Sequence, residues 1–262
     1  MEPVYVTEGT SPLILAQPHS GTLLPDDVLA ALNQEGRKLL DTDWRIPELY
    51  EGLVPEASVV RANFSRYVID ANRPPDGASL YPGQNTTGLV PLTTFDDRPI
   101  WLNAPDDAEI ERRRVAFHQP YHATLLAEIE RVRVQHGFAV LYDCHSIRSN
   151  IPYLFEGTLP DLNIGTNSGT SCAVAIERGV ADACSASPFT SVLNGRFKGG
   201  WTTRHYGQPE QGVHAVQMEI AQSAYLETEA PPFVLSPTRS AELRTTLSRV
   251  FDAIQQTFGD LA

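Results

Sequence analysis

The chain is poor in the residues that would staple a small fold or anchor a structural metal. It has 3 cysteines, Cys144, Cys172 and Cys184, an odd count without CxxC spacing. A disulfide framework and a zinc ribbon are therefore excluded, and a reduced compartment fits better. No stretch approaches the roughly 18 consecutive apolar residues of a membrane span. The start, Met-Glu-Pro-Val-Tyr, carries neither a basic segment nor an apolar run, so no signal peptide is expected and a cytoplasmic location follows. Positive charge is also scarce. With 20 Lys and Arg against 32 Asp and Glu, the formal net charge is −12, which argues against nucleic acid as a partner. An anionic ligand would need local arginines to overcome that field. Several catalytic signatures are missing as well. There is no G-x-S-x-G elbow, no HExxH or HxxE, and Gly83, Gly88, Gly199 and Gly200 form neither a dinucleotide nor a P-loop fingerprint.

What is present is ordinary globular composition, 42% hydrophobic and 20% charged over 262 residues, with no repeat, low-complexity tract or clean linker. One domain over 1–262 is expected, with ample core. Apolar runs at 11–17, 57–62, 138–142 and 213–220 read as strands, and 67–69 as a further short one. Helical patterns cover 25–40, 46–50, 105–135, 171–183 and 238–258, while 74–103, 157–169 and the Gly-rich 195–211 read as loops or irregular chain. Strands alternating with helices predict a three-layer α/β/α sandwich around a central mixed sheet.

The chemistry-bearing residues fall where strands end, the edge at which open α/β sheets bind ligands. Pro74 and Pro75 stop the 67–69 run just past Asp70, Asn72 and Arg73. An Arg fork with a neighbouring Asn amide suits a carboxylate, so this stretch reads as an anion clamp beside a buried acid. His19 follows the first long strand and Asp143 and His145 follow another. Two imidazoles and a carboxylate with an open position make a catalytic zinc site. The nearest acidic candidates are Asp43 and Asp41. Glu219 ends an apolar strand and would serve as a general base near a metal-bound water. His118 and His122, four apart on the 105–135 helix, read as a solvated or packing pair.

Taken together, Pro-His-Ser-Gly at 18–21, Asp-Thr-Asp-Trp at 41–44, Arg-Tyr-Val-Ile-Asp-Ala-Asn-Arg at 66–73, Leu-Tyr-Pro-Gly-Gln at 80–84, Tyr-Asp-Cys-His-Ser at 142–146 and Val-Gln-Met-Glu-Ile at 216–220 resemble the N-formylglutamate amidohydrolases of histidine degradation. That family is similar in turn to the zinc carboxypeptidases and aspartoacylases. The resemblance implies a zinc-carboxypeptidase-like (phosphorylase/hydrolase-like) fold and hydrolysis of N-formyl-L-glutamate with zinc or another divalent metal. It further implies His19 and His145 as ligands, Asp70 as the partner that orients His19, Asn72 and Arg73 as the substrate clamp, and Glu219 as the base. Thr22 stands where those relatives place a ligand Glu, which leaves Asp43 as the acidic ligand. A dicarboxylate substrate needs a second cation, and Arg196, Arg204, His205 and Arg148 are the candidates. The competing readings are an amidohydrolase of another N-acyl amino acid or small peptide, and a non-catalytic binder of acidic metabolites.

Overall fold

The computed structural model describes residues 2–79, 83 and 85–261. One seven-stranded sheet runs through it in the order β1-β3-β2-β4-β7-β5-β6. These strands are β1 Val4–Thr7, β2 Leu13–Gln17, β3 Ser58–Ala62, β4 Ala139–Ile147, β5 Leu162–Gly165, β6 Ser191–Leu193 and β7 Val213–Ala221. The four central strands β3, β2, β4 and β7 are parallel, and β1 and β5 pair antiparallel at either side. The sheet is therefore mixed. β2, β4 and β7 are buried at every position, which is why they read as nearly continuous apolar runs.

The period of two divides each strand between two cores. Leu13, Leu15, Val140, Tyr142, Val216 and Met218 face one core, shared with α2 Ile46–Tyr50, α5 Val174–Ser185 and α7 Pro237–Gln256; the short α8 Phe258–Leu261 packs at its edge. Ile14, Ala16, Leu141 and Ala215 face the other, shared with α1 Asp26–Ala31 and α4 Gln119–His136. α3 Asp107–Arg113 leads into α4, and α6 Trp201–Tyr206 sits beside the end of β7. Helices on both faces of the sheet make the three layers.

Several local expectations change. Residues 66–68 form a turn and Ile69 follows it irregularly, so 67–69 is not a strand. Ser65 accepts there from the backbone N–H of Tyr67 through its hydroxyl (3.2 Å) and from that of Val68 through its carbonyl (2.8 Å). The β-branched side chains are apolar because they are buried, and the backbone turns because a serine supplies the acceptors. The helix expected over 25–40 is only Asp26–Ala31, followed by a single 3₁₀ turn at Gly36–Lys38. Asn33 interrupts it by accepting from Gly36 N and donating to Pro99 O. Residues 157–169 contain β5, and 195–211 contain α6. The edge strands β1 and β6 carry little apolar pattern because most of their side chains are exposed or half-buried.

Candidate active site

The carboxyl ends of β2, β4 and β7 meet at one place. His19 lies two residues beyond β2, on a turn held close to β3. A side chain at Gly21 would collide with the backbone of Ala62 and Asn63, at 2.5 Å, so only glycine fits there. The His19 carbonyl accepts from Asp43 N (3.0 Å), which fastens the 41–44 loop beside it. Asp143 and His145 lie two apart on β4 and so share a face. Across the ladder they oppose Gln217 and Glu219 of β7.

The two imidazoles are arranged alike. His19 Nε2 is 2.7 Å from Asp70 Oδ1, and His145 Nε2 is 3.1 Å from Asp143 Oδ1. Their Nδ1 atoms converge on Asp43 Oδ2, at 3.8 Å and 3.0 Å respectively. A carboxylate behind each imidazole sets ring orientation and basicity, as it does for metal ligands. Among the described residues, His19, Asp43 and His145 form the one group of His, Cys, Asp and Glu donors close enough to hold an ion, all within 4.8 Å of one another. The group also fits an ion chemically. All three residues are buried, the donor set suits zinc, and Asp43 Oδ1 has no hydrogen-bond partner. Asp41 is differently engaged. Its carboxylate accepts from Tyr67 OH (2.7 Å) and Phe95 N (2.9 Å) and faces Arg148.

Burial dominates the electrostatics. It pushes the Glu219 carboxyl up to about 8, with the Asp43 and Asp143 charges adding to it and His145 and Arg66 opposing. Burial and Arg66 lower His19 below the usual histidine range. Burial opposes charging His145 too, but the Asp143 and Asp43 carboxylates outweigh it and raise that imidazole well above the usual range. Asp70 is held well below the carboxylate range by His19, Arg66 and Arg73, against its burial.

A cavity of about 610 Å³, open to solvent at its mouth, adjoins the group and is lined by His19, His145, Glu219, Asn72, Arg73 and Arg196 among others. Gln217 donates to Glu219 Oε2 (3.2 Å) and accepts from Gly200 N (2.6 Å). Asn72 Nδ2 is 2.9 Å from His145 Nε2, and Asn72 Oδ1 accepts from Thr202 N. Arg73 donates from Nε to Thr87 O and from Nη2 to Thr87 Oγ1. Arg196 reaches Leu154 O and Asn85 O across the mouth.

Arg204 and His205 are not in that lining. Arg204 donates to Gly199 O, and His205 stacks on Trp201 at 4.3 Å on an exposed helix face. Arg148 pairs with Asp96 at 2.8 Å. The 80–84 stretch lies outside the described residues except for Gly83. Three residues at the site escaped the sequence reading of roles. Arg66 is buried between Asp70 (2.7 Å) and the ring of Phe95 and lines the cavity. Asp143 backs His145, and Gln217 ties Glu219 to the Gly200 turn. The two-residue spacing of Asp143 from His145 and of Gln217 from Glu219 was the signal available.

A sequence profile of the N-formylglutamate amidohydrolases matches residues 11–226. The chain belongs to this family. N-formylglutamate deformylase of Pseudomonas aeruginosa is 49% identical over 228 residues, 85% of each chain. That of Pseudomonas putida is 45% identical over 251 residues, covering 94% of this chain and 93% of its own. The crystal structure of N-formylglutamate amidohydrolase from Ralstonia eutropha superposes with a TM-score of 0.82 at 24% identity, over 98% of this chain and 99% of that one. A gene product of Agrobacterium tumefaciens follows at 0.73 and 18%, over 98% and 96%. These two structures support the fold. No helix among the described residues is long and apolar enough to cross a membrane.

Proposed function

We propose that this protein hydrolyses the formyl amide of N-formyl-L-glutamate to L-glutamate and formate, as a step of histidine degradation in the cytoplasm. The observation that carries the reading is the convergence of His19, Asp43 and His145 beside Glu219, in a cavity walled by Arg73 and Arg196. The substrate is the one for which the two Pseudomonas relatives are named.

His19, Asp43 and His145 would hold the metal, zinc by their donor chemistry, and a bound ion would polarise the formyl oxygen and acidify a water. Asp70 and Asp143 orient the two imidazoles from behind. Glu219 takes the proton of the attacking water and passes it to the departing amine nitrogen. The C–N bond breaks, and formate keeps the incoming oxygen. Gln217 holds Oε2 of Glu219, so Oε1 is the oxygen we assign to this transfer. Arg73, with the Asn72 amide, grips one substrate carboxylate through its planar fork. Arg196, also in the cavity lining, takes the other. Arg204 and His205 are left out of this assignment, since neither lines the cavity.

The test is formate release from N-formyl-L-glutamate, compared with N-acetyl- and N-formimino-L-glutamate, with and without chelator. Turnover of the formyl compound that stops with chelation and returns with the ion is the expected result. Glu219→Gln should keep its metal and lose roughly 10²- to 10⁴-fold in kcat. Metal-loaded protein that releases no formate from N-formyl-L-glutamate ends the reading.

A further inference from the structure

The helical stretch ahead of β4 contains a wide turn. Pro120 has no N–H to donate, and its ring crowds the carbonyl four residues back. Over Arg114–His118 the helix opens into a π turn, and Gln119 N bonds to Arg114 O instead. Single wide turns of this kind are frequent at functional sites. This one carries His118, with His122 one turn on, both buried and with ring centroids 4.3 Å apart.

Neither imidazole touches the metal-ligand group. His118 Nε2 is 2.9 Å from Arg73 O, and His122 Nε2 is 2.8 Å from Ala71 O. These two carbonyls flank Asn72. Residues 71–73 belong to no helix or strand, so no ladder satisfies their buried acceptors. A carbonyl only accepts, so each Nε2 must carry a proton. His122 Nδ1, 3.0 Å from Tyr206 OH, is then the acceptor of that hydroxyl. Trp201 packs edge-on against His122 at 4.5 Å. Next to Trp201, Thr202 N reaches Asn72 Oδ1 at 2.8 Å, and a Cβ at Gly200 would sit 2.2 Å from Asn72 Nδ2. The Asn72 segment is thus held both through its flanking carbonyls and through its side chain.

We propose that His118 and His122 are positioning residues, holding the 71–73 backbone from behind so that Asn72 and Arg73 meet a substrate carboxylate in fixed geometry. An apolar pair could fill the same volume but would leave two carbonyls without donors. The inference rests on the Asn72–Arg73 clamp described under the proposed function.

Steady-state kinetics on N-formyl-L-glutamate, with metal content and thermal stability measured in parallel, test it. His118→Ala and His122→Ala should each raise KM roughly tenfold, the scale of one lost hydrogen bond, with kcat and metal nearly unchanged. Loss of packing alone would instead lower the folded fraction, and with it kcat at constant KM. His122→Gln, whose amide nitrogen can still donate to Ala71 O, should recover most of the loss. Tyr206→Phe, which deletes one hydroxyl, should raise KM about two- to threefold. If the alanine variants do not fold, these two carry the test. In an Arg73→Ala background, His118→Ala should add less than about twofold, because the group it positions is already gone. Wild-type activity with unchanged KM in the variants, or a full multiplicative effect on Arg73→Ala, overturns the positioning role alone. A wild-type protein that releases no formate overturns the functional reading beneath it.

Discussion

Two pairs of buried histidines lie within this molecule, and their ring geometry is almost the same. His19 and His145 have centroids 4.9 Å apart at 50°, and His118 and His122 are 4.3 Å apart at 47°. Their neighbours differ. In the first pair a carboxylate stands behind each Nε2, and Asp43 lies before both Nδ1 atoms. In the second pair backbone carbonyls take both Nε2 positions, a tyrosine hydroxyl meets one Nδ1, and aromatic rings fill the space around them. Burial is common to both, so burial alone does not make a metal site. Anionic oxygen is what makes the first pair a candidate metal site, because it would offset a cation as a neutral carbonyl and a phenol cannot.

The largest expected effect breaks the comparison outright. His19→Ala and His145→Ala should each lose bound metal and bring turnover to background, whereas His122→Ala keeps its metal. Full occupancy in either of the first two variants, measured by elemental analysis, would show that the pairs do not differ as described.

A middle-sized effect sharpens it. Asp70→Asn or Asp143→Asn removes the charge behind one imidazole while keeping its shape. Metal affinity should fall roughly 10- to 100-fold by chelator competition. Asp70→Asn should also lower the melting temperature, since Arg66 would be left buried without its 2.7 Å partner. Unchanged affinity in both variants would mean that the carboxylates serve only to pack the rings.

The smallest effect concerns the second pair and depends on pH. Burial, together with the nearby His118, depresses His122 well below the usual histidine range. In the unfolded chain it protonates near ~6.5. Between those values the unfolded state binds the extra proton, so stability due to the neutral imidazole is complete above about pH 6.5 and is lost as pH falls. The stability advantage of wild type over His122→Gln should therefore shrink from pH 7.5 to 5, at no more than about 1.4 kcal/mol per pH unit, and the gap in melting temperature with it. A gap independent of pH would show that His122 binds its proton equally in the folded and unfolded states.

Legibility followed the physics of each signal. β2, β4 and β7 could be read directly because both faces of a central parallel strand are buried and the sequence must be apolar throughout. The long helix ahead of β4 was legible from its apolar faces, its acidic start and Gly137, which closes it in the left-handed conformation at φ 86°. The reading of Tyr67, Val68 and Ile69 as a strand failed because burial and strand propensity select the same side chains, and Ser65 decides the backbone. β5 was missed because its pairing with β7 joins residues more than fifty positions apart. At the site, strand ends pointed to His19, His145 and Glu219. Arg66 went unassigned because its partner Asp70 stands four residues on in a turn, not on the face of a predicted helix.

By itself the sequence determined which residues could do chemistry and the layered class that would carry them, since apolar periodicity and turn-forming residues act over short spans. Family membership was also legible, because six separated motifs occur in one order. Tertiary structure alone distinguishes the surroundings of Asp43 from those of Asp41. The two lie two residues apart in the same loop and are chemically identical. Only the fold turns one carboxylate toward two imidazoles and buries the other against Tyr67 OH and the backbone of Phe95. The same is true of the surroundings of Arg196 against those of Arg204 and His205, and of the Asp70 carboxylate behind His19. His19 with Asp70, His145 with Asn72 and Asn72 with Thr202 meet across 51 to 130 residues, and no local pattern encodes a partner that far along the chain.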